Sequence, residues 1–108
     1  MLQEEKFIEE SEIREQALDQ MDLNYFVGFA NPMEHTCYVT RDKVYFVPKM
    51  KISAFPIRSI ELADIDGYKK GFGLRFTIKL KDGEKVLLSL WKKSKLIAML
   101  DAHRNAGL

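Results

Sequence analysis

Cysteine is almost missing from this chain. Cys37 is the only one in 108 residues, so no disulfide can close within it. A reducing, cytoplasmic setting is the simplest expectation, and the scarcity permits it without proving it. Histidine is nearly as scarce, with His35 and His103 far apart. His35 and Cys37 would share one face of a strand, but two ligands do not meet the tetrahedral or octahedral demand of a metal ion. No metal and no cofactor is therefore expected. No long apolar run occurs, and a stretch such as Val86–Trp91 falls far short of the about 20 residues that cross a bilayer. The start, MLQEEKF, is acidic and lacks the basic-then-apolar order of a secretory signal. GYKKGFG has glycines but no lysine–hydroxyl pair and no helix behind it, which excludes a nucleotide loop of the Walker type. Trp91 beside Lys92 and Lys93 could stack on a base. The chain's net charge of only +1, with no further interleaving of aromatics and bases, argues against nucleic acid as a partner. No arrangement of nucleophile, base and orienting group survives inspection, so an enzyme is not expected.

What is present is a single-domain composition, 46% apolar and 31% charged. Its charge is unevenly placed. Residues 1–22 hold eight acids and two bases, a net of −6, which leaves fifteen bases and eight acids beyond, a net of +7. Two readings follow. The basic part is a surface for an anionic partner that the acidic segment can cover, or both are solvated faces. Residues 3–21 lack Gly and Pro and repeat Ile13, Ala17 and Met21 at four-residue spacing, which predicts an amphipathic helix. From Leu23 onward the texture is that of strands: LNYFVGFA, then HTCYVT and VYFVPK around a polar turn, then ISAF, then IRSIELADI turned by Asp66-Gly67. Phe72, Leu74, Phe76, Ile78 and Leu80 alternate with small and polar residues, the mark of a half-buried strand. A three-residue turn, Lys81-Asp82-Gly83 with Gly83 left-handed, pairs Ile78 with Val86, Phe76 with Leu88 and Leu74 with Leu90, and it sets Trp91 opposite Gly73 where its ring could cover bare backbone. A last helix from about Lys92 or Ser94 to Ala106 turns Leu96, Ile97, Leu100 and His103 to one side, with Ser94 as a candidate cap. The order is helix, seven short strands, helix, joined by tight turns that argue for antiparallel pairing.

The sequence YVTRDKVYFVPK, then FPIRSIEL, then LKDGEKVLLSLW and a closing helix together resemble the bacterial pleckstrin-homology-like and GRAM family. Tyr38, Thr40, Val44 and Phe46 match its aromatic-x-Thr and apolar-x-Phe hairpin, and Pro56-Ile57 and Ile60 its following step. The likeness covers residues 23–106. It implies a mainly β (α+β) fold, a partly open barrel of two antiparallel sheets with about seven strands, capped by the C-terminal helix and preceded here by an extra N-terminal helix. It divides the chain into an acidic helical segment, 1–22, and a barrel domain, 23–108. In such a barrel Cys37, Val39, Val44 and Phe46 would point inward. Tyr38, Tyr45 and Val47 would then point outward, where a barrel strand is ordinarily polar. Covering them is worth on the order of 3–6 kcal/mol, as an upper figure. The cover is either the acidic helix, laying Ile13, Ala17 and Met21 on that wall, or a partner chain.

The family's lipid site does not carry over, because the loop ANPMEHT has no Lys or Arg. An anion could instead meet Lys69 and Lys70 among their glycines, or Lys92, Lys93 and Lys95. The alternative is that these lysines are simply solvated loop residues. The expectation is a noncatalytic binding or assembly module acting through protein–protein contact, including self-association into a homo-oligomer. Peripheral attachment to anionic membrane lipid is the alternative.

Overall fold

The computed structural model describes residues 9–26, 32–50 and 56–104, and the account below concerns these. They form a seven-stranded antiparallel sheet rolled into an open barrel, with the order β4-β3-β2-β1-β7-β6-β5. In chain order the elements are α1 (Glu10–Gln16), β1 (Asp19–Phe26), β2 (Pro32–Val39), β3 (Lys43–Pro48), β4 (Arg58–Glu61), β5 (Ile65–Lys70), β6 (Arg75–Leu80), β7 (Lys85–Ser89) and α2 (Lys93–Arg104). β1 pairs with β2 along its whole length but with β7 only at Asn24 and Tyr25, so it serves both halves of the barrel. The mainly β, capped-barrel architecture expected from the sequence is the one observed.

The inward residues of the strands form one core with Leu96, Met99 and Leu100 of α2. Among the described residues β4 and β5 are the edge strands of the sheet. A 3-10 turn, Leu62–Asp64, joins these two strands; its Leu62 amide donates to the Asp42 carbonyl (2.8 Å), and its Asp64 carbonyl accepts from the Lys81 amide (2.8 Å). The last turn of α2 then fastens to β5. Tyr68 donates to Asp101 (2.8 Å), while Arg104 donates to the Tyr68 hydroxyl (3.1 Å) and the Ile65 carbonyl (2.9 Å). The helix thus closes the side of the barrel that hydrogen bonding between strands leaves open.

Four details differ from the sequence reading. The N-terminal helix ends at Gln16. Ala17 is extended and the Leu18 amide donates to the Val39 carbonyl (2.7 Å), so the chain is captured by β2 before the helical pattern runs out. Met21 therefore lies in β1 and belongs to the barrel core, not to the helix face. Asp66-Gly67 does not end a strand. It lies within β5 at a register shift between Ile65 and Gly67, where a bulge absorbs the turn-like residues. Finally, the alternation of β6 begins at Arg75. Gly73 has a φ of +65°, which only glycine adopts at little cost, and it breaks the period before Leu74. The register of the β6–β7 hairpin is as expected, with Ile78 opposite Val86 and Phe76 opposite Leu88, and Gly83 at a φ of +97°. The predicted strand ISAF lies outside the described residues, as do the first part of the predicted N-terminal helix and the end of the last helix.

Candidate docking surface

The barrel has two outer walls. The first is built by β2 and β3, where Thr36 and Tyr38 stand opposite Val47 and Tyr45. α1 lies on it. Ile13, 0% exposed, forms a second core with Tyr38, Tyr45 and Val47, flanked by Ala17 and Ile57. The helix is short, and acids at its start suit the positive end of its dipole. The Glu9 amide donates to the Glu12 carboxylate (3.2 Å), and the Tyr38 hydroxyl donates to the Glu10 carboxylate (2.9 Å). Burial raises the Tyr38 pKa, and Glu10 adds to the rise. Of the residues expected on this surface, the structure brings Ile13, Ala17, Tyr38, Tyr45 and Val47 together and leaves out Met21.

The second wall is built by β5, β6 and β7. Arg75, Thr77 and Lys79 of β6 and Lys85 and Leu87 of β7 alternate with buried residues and face outward. Register sets Lys69 beside Thr77, Thr77 beside Leu87, and Lys79 beside Lys85. These three strands carry five cations, Lys69, Lys70, Arg75, Lys79 and Lys85, against one carboxylate, Asp66. The ion pairs among the described residues use Lys43, Lys49, Arg58 and Arg104, none of them from this wall. A groove of about 590 Å³ lies along it, lined by Phe26, Lys69, Phe72, Arg75, Thr77 and Leu87 among others.

One end of this wall carries an aromatic rim. The Leu90 amide donates to the Leu74 carbonyl (2.9 Å), which leaves Trp91 level with Gly73 across the hairpin. The Trp91 ring does not fold over that glycine. It stands in solvent, 84% exposed, and Phe72 at the β5–β6 turn is 96% exposed. Of the two lysine groups that are separate in the sequence, Lys70 and Lys93 are brought to this turn. The Lys93 ammonium donates to the carbonyls of Gly71 (3.0 Å) and Gly73 (2.6 Å), and that of Lys70 to the Ser94 hydroxyl (3.3 Å). Ser94 thus sits inside the first turn of α2 and receives Lys70; the carbonyl that opens the helix is that of Lys92, which accepts from Leu96 (3.1 Å). Lys93 and Lys70 fasten the turn and Lys69 lies in the groove with Phe72, whereas Lys92 and Lys95 line a second pocket, of about 420 Å³, with Trp91, Asp22, Glu34 and Lys49. The sequence reading missed Phe72 and Leu87 as surface residues. The outward series Arg75, Thr77, Lys79 and Lys85, Leu87 was the signal for the wall, and Gly73 the signal that Phe72 leaves the strand.

Neither wall holds a reactive constellation. Cys37 and His35 share the inward face. Burial pushes the Cys37 thiol up, and burial lowers the His35 pKa, opposed by its hydrogen bond to the Met33 carbonyl (2.9 Å). Among the described residues no three His, Cys, Asp or Glu side chains gather as metal ligands, and no helix is long and apolar enough to cross a membrane.

An open antiparallel barrel of seven strands capped by a C-terminal helix defines the pleckstrin-homology-like fold, and solved structures agree. The C-terminal domain of an unknown protein from Leishmania infantum superposes with a TM-score of 0.65 at 16% identity, over 82% of this chain and 83% of that one. The N-terminally truncated linker-DH/PH domains of p115-RhoGEF superpose at 0.67 with 8% identity; 84% of this chain matches 30% of that one. Inner membrane complex sub-compartment protein 3 of Toxoplasma gondii superposes at 0.59 with 12% identity, over 94% and 88% of the two chains. No family model matches the chain, and no curated protein matches its sequence. These likenesses establish the fold.

Proposed function

We propose that this chain is a noncatalytic docking module that binds an anionic partner through the bare wall of β5, β6 and β7. The observation that supports this reading is the segregation of charge on that wall, where Lys69, Arg75, Lys79 and Lys85 face outward and, among the described residues, no ion pair draws on them. A net charge of only +1 gives the whole molecule little attraction for an anion, so recognition has to come from a local field. Protein contact through Tyr38, Tyr45 and Val47 has less support, because Ile13 of the same chain already fills that wall.

The test compares two charge reversals of equal size. The protein should be retained on an immobilised polyanion such as heparin and released as salt screens the contact. Arg75→Glu with Lys85→Glu should abolish retention. Lys43→Glu with Lys49→Glu, away from the wall, should largely preserve it. Equal loss in both double variants would overturn the reading.

A further inference from the structure

We infer that the cleft between β1 and the β7–α2 junction is a binding site for an uncharged saccharide, with Trp91 as its stacking platform. The inference goes beyond the basic-wall reading and concerns a different part of the surface. The cleft exists because two strands part. β1 and β7 pair only at Asn24–Ser89 and Tyr25–Leu88. The same register would next set Asp22 opposite Trp91, but the chain leaves β7 after Ser89 and enters α2 at Lys93. The gap that remains has a volume of about 420 Å³, within the range of about 300–1,000 Å³ found for small-ligand sites.

Its floor is a row of polar side chains across three strands. Ser89 of β7, Asn24 of β1 and Glu34 of β2 are successive register partners. They therefore point to one face of the sheet, at the strand spacing of about 4.8 Å, and all three border the cleft. Ser89 is only 8% exposed, so the floor is held rigidly at that end. Among the described residues, none of the three side chains is given to a hydrogen bond or a short ion pair. A hydroxyl, an amide and a carboxylate thus stand in line and uncommitted. Asp22 is already held: its carboxylate accepts from Lys49 (2.9 Å) and from the Thr36 hydroxyl (3.4 Å). Lys92 and Lys95, both exposed, border the cleft from the head of α2.

The mixture of charges selects the ligand. An anion would meet the carboxylates of Asp22 and Glu34, and a cation the ammonium groups of Lys92 and Lys95, so neither sign is favoured. A hydroxyl answers both, because one oxygen donates and accepts. It can donate to Glu34 and accept from Lys92 or Lys95, and hydrogen bonds to charged partners are the stronger kind. The apolar demand is one flat ring. Trp91, 84% exposed, is large, rigid and polar at a single atom, and its face can pack against the C–H groups of a sugar ring. A protein partner fits less well. Interface cores are depleted in lysine, glutamate and aspartate, whereas Asp22, Glu34, Lys49, Lys92 and Lys95 all border this cleft.

Trp91 is the sole tryptophan and reports on the cleft directly. The full chain is passed over immobilised uncharged oligosaccharides of glucose, galactose, mannose, xylose and N-acetylglucosamine, in about 0.5 M salt to screen the basic wall. Retention on at least one is expected, and titration with that free oligosaccharide should shift Trp91 emission. Trp91→Ala should weaken binding about tenfold with an unchanged melting temperature, and Asn24→Ala about fivefold. Lys79→Glu with Lys85→Glu, at the far end of the wall, should weaken retention on heparin and leave sugar binding intact, so the two readings fail separately. Retention on none of the sugars would overturn the inference. Binding that survives both Trp91→Ala and Asn24→Ala would overturn it as well. Binding confined to charged glycans and lost in salt would do the same and return the contact to the basic wall.

Discussion

On the wall of β2 and β3, Tyr38, Tyr45 and Val47 are shut away from water by Ile13, whereas on the wall of β5 to β7 Leu87 is 49% exposed and Trp91 stands free. Charge attraction alone would have laid the acidic segment on the basic wall. The described helix, Glu10–Gln16, lies instead on the oily one. Magnitudes explain the choice. An exposed ion pair contributes about 0–1 kcal/mol, while full burial of one isoleucine contributes about 1.5–3 kcal/mol, and the two tyrosines and Val47 add to that. Packing therefore decides where α1 docks. The reading in which the acidic segment masks the basic surface is corrected for this helix.

The strongest way to break this comparison is to remove the contact that makes the first wall covered. Ile13→Ala should lower the unfolding free energy by about 2–4 kcal/mol, the usual cost of truncating a fully buried isoleucine. Urea denaturation would read it. The same variant should form higher oligomers with rising concentration, by light scattering, as the tyrosine wall opens. A loss below about 1 kcal/mol would mean that α1 lies on the wall without holding it.

The next effect concerns the turn that sets the register of the bare wall. Gly83→Ala forces a side chain onto a φ of +97° and should cost about 1–2 kcal/mol, measured by thermal unfolding. This glycine also shows what was legible in the sequence. A strict period of two from Phe76 to Leu80, followed by Lys81-Asp82-Gly83, allows one register that keeps both apolar series inward, so Ile78 opposite Val86 could be read directly. The oily outer face of Tyr38, Tyr45 and Val47 was legible for the same reason, and it called for a cover. Helix α1 was only half legible. Met21 keeps the helical spacing, but pairing of Leu18 and Asp19 with Val39 takes it into β1, and no local pattern announces a tertiary capture of that kind. β5 was hidden because Asp66-Gly67 has the composition of a turn, and a bulge in mid-strand uses the same residues. The aromatic rim was hidden because Phe72 fits the strand period until Gly73 breaks it.

A smaller effect separates the inner face of β2 from the wall it carries. Burial holds His35 below its usual pKa of 6.5, so the native state favours the neutral ring. The unfolded chain then binds the proton first as pH falls. The stability that His35 contributes is complete above pH 6.5 and declines below it, and the decline levels off once the native ring also titrates. Melting temperatures recorded from pH 8 to pH 5 should show that fall. His35→Gln should flatten it while leaving the cover of Tyr38 and Tyr45 in place. A profile unchanged by the substitution would assign the pH dependence to other groups.

The smallest effect is the most direct comparison of the two walls. Val47 and Leu87 are both aliphatic, both mid-strand and both on the outside of the sheet, and only Val47 is covered. Val47→Ala should cost about 1–2 kcal/mol, at about 0.8 kcal/mol for each buried methylene equivalent. Leu87→Ala should stay within about 0.5 kcal/mol of the parent, as substitutions at exposed sites do. A loss above about 1 kcal/mol for Leu87→Ala would place Leu87 among the structural residues and take it out of the docking wall.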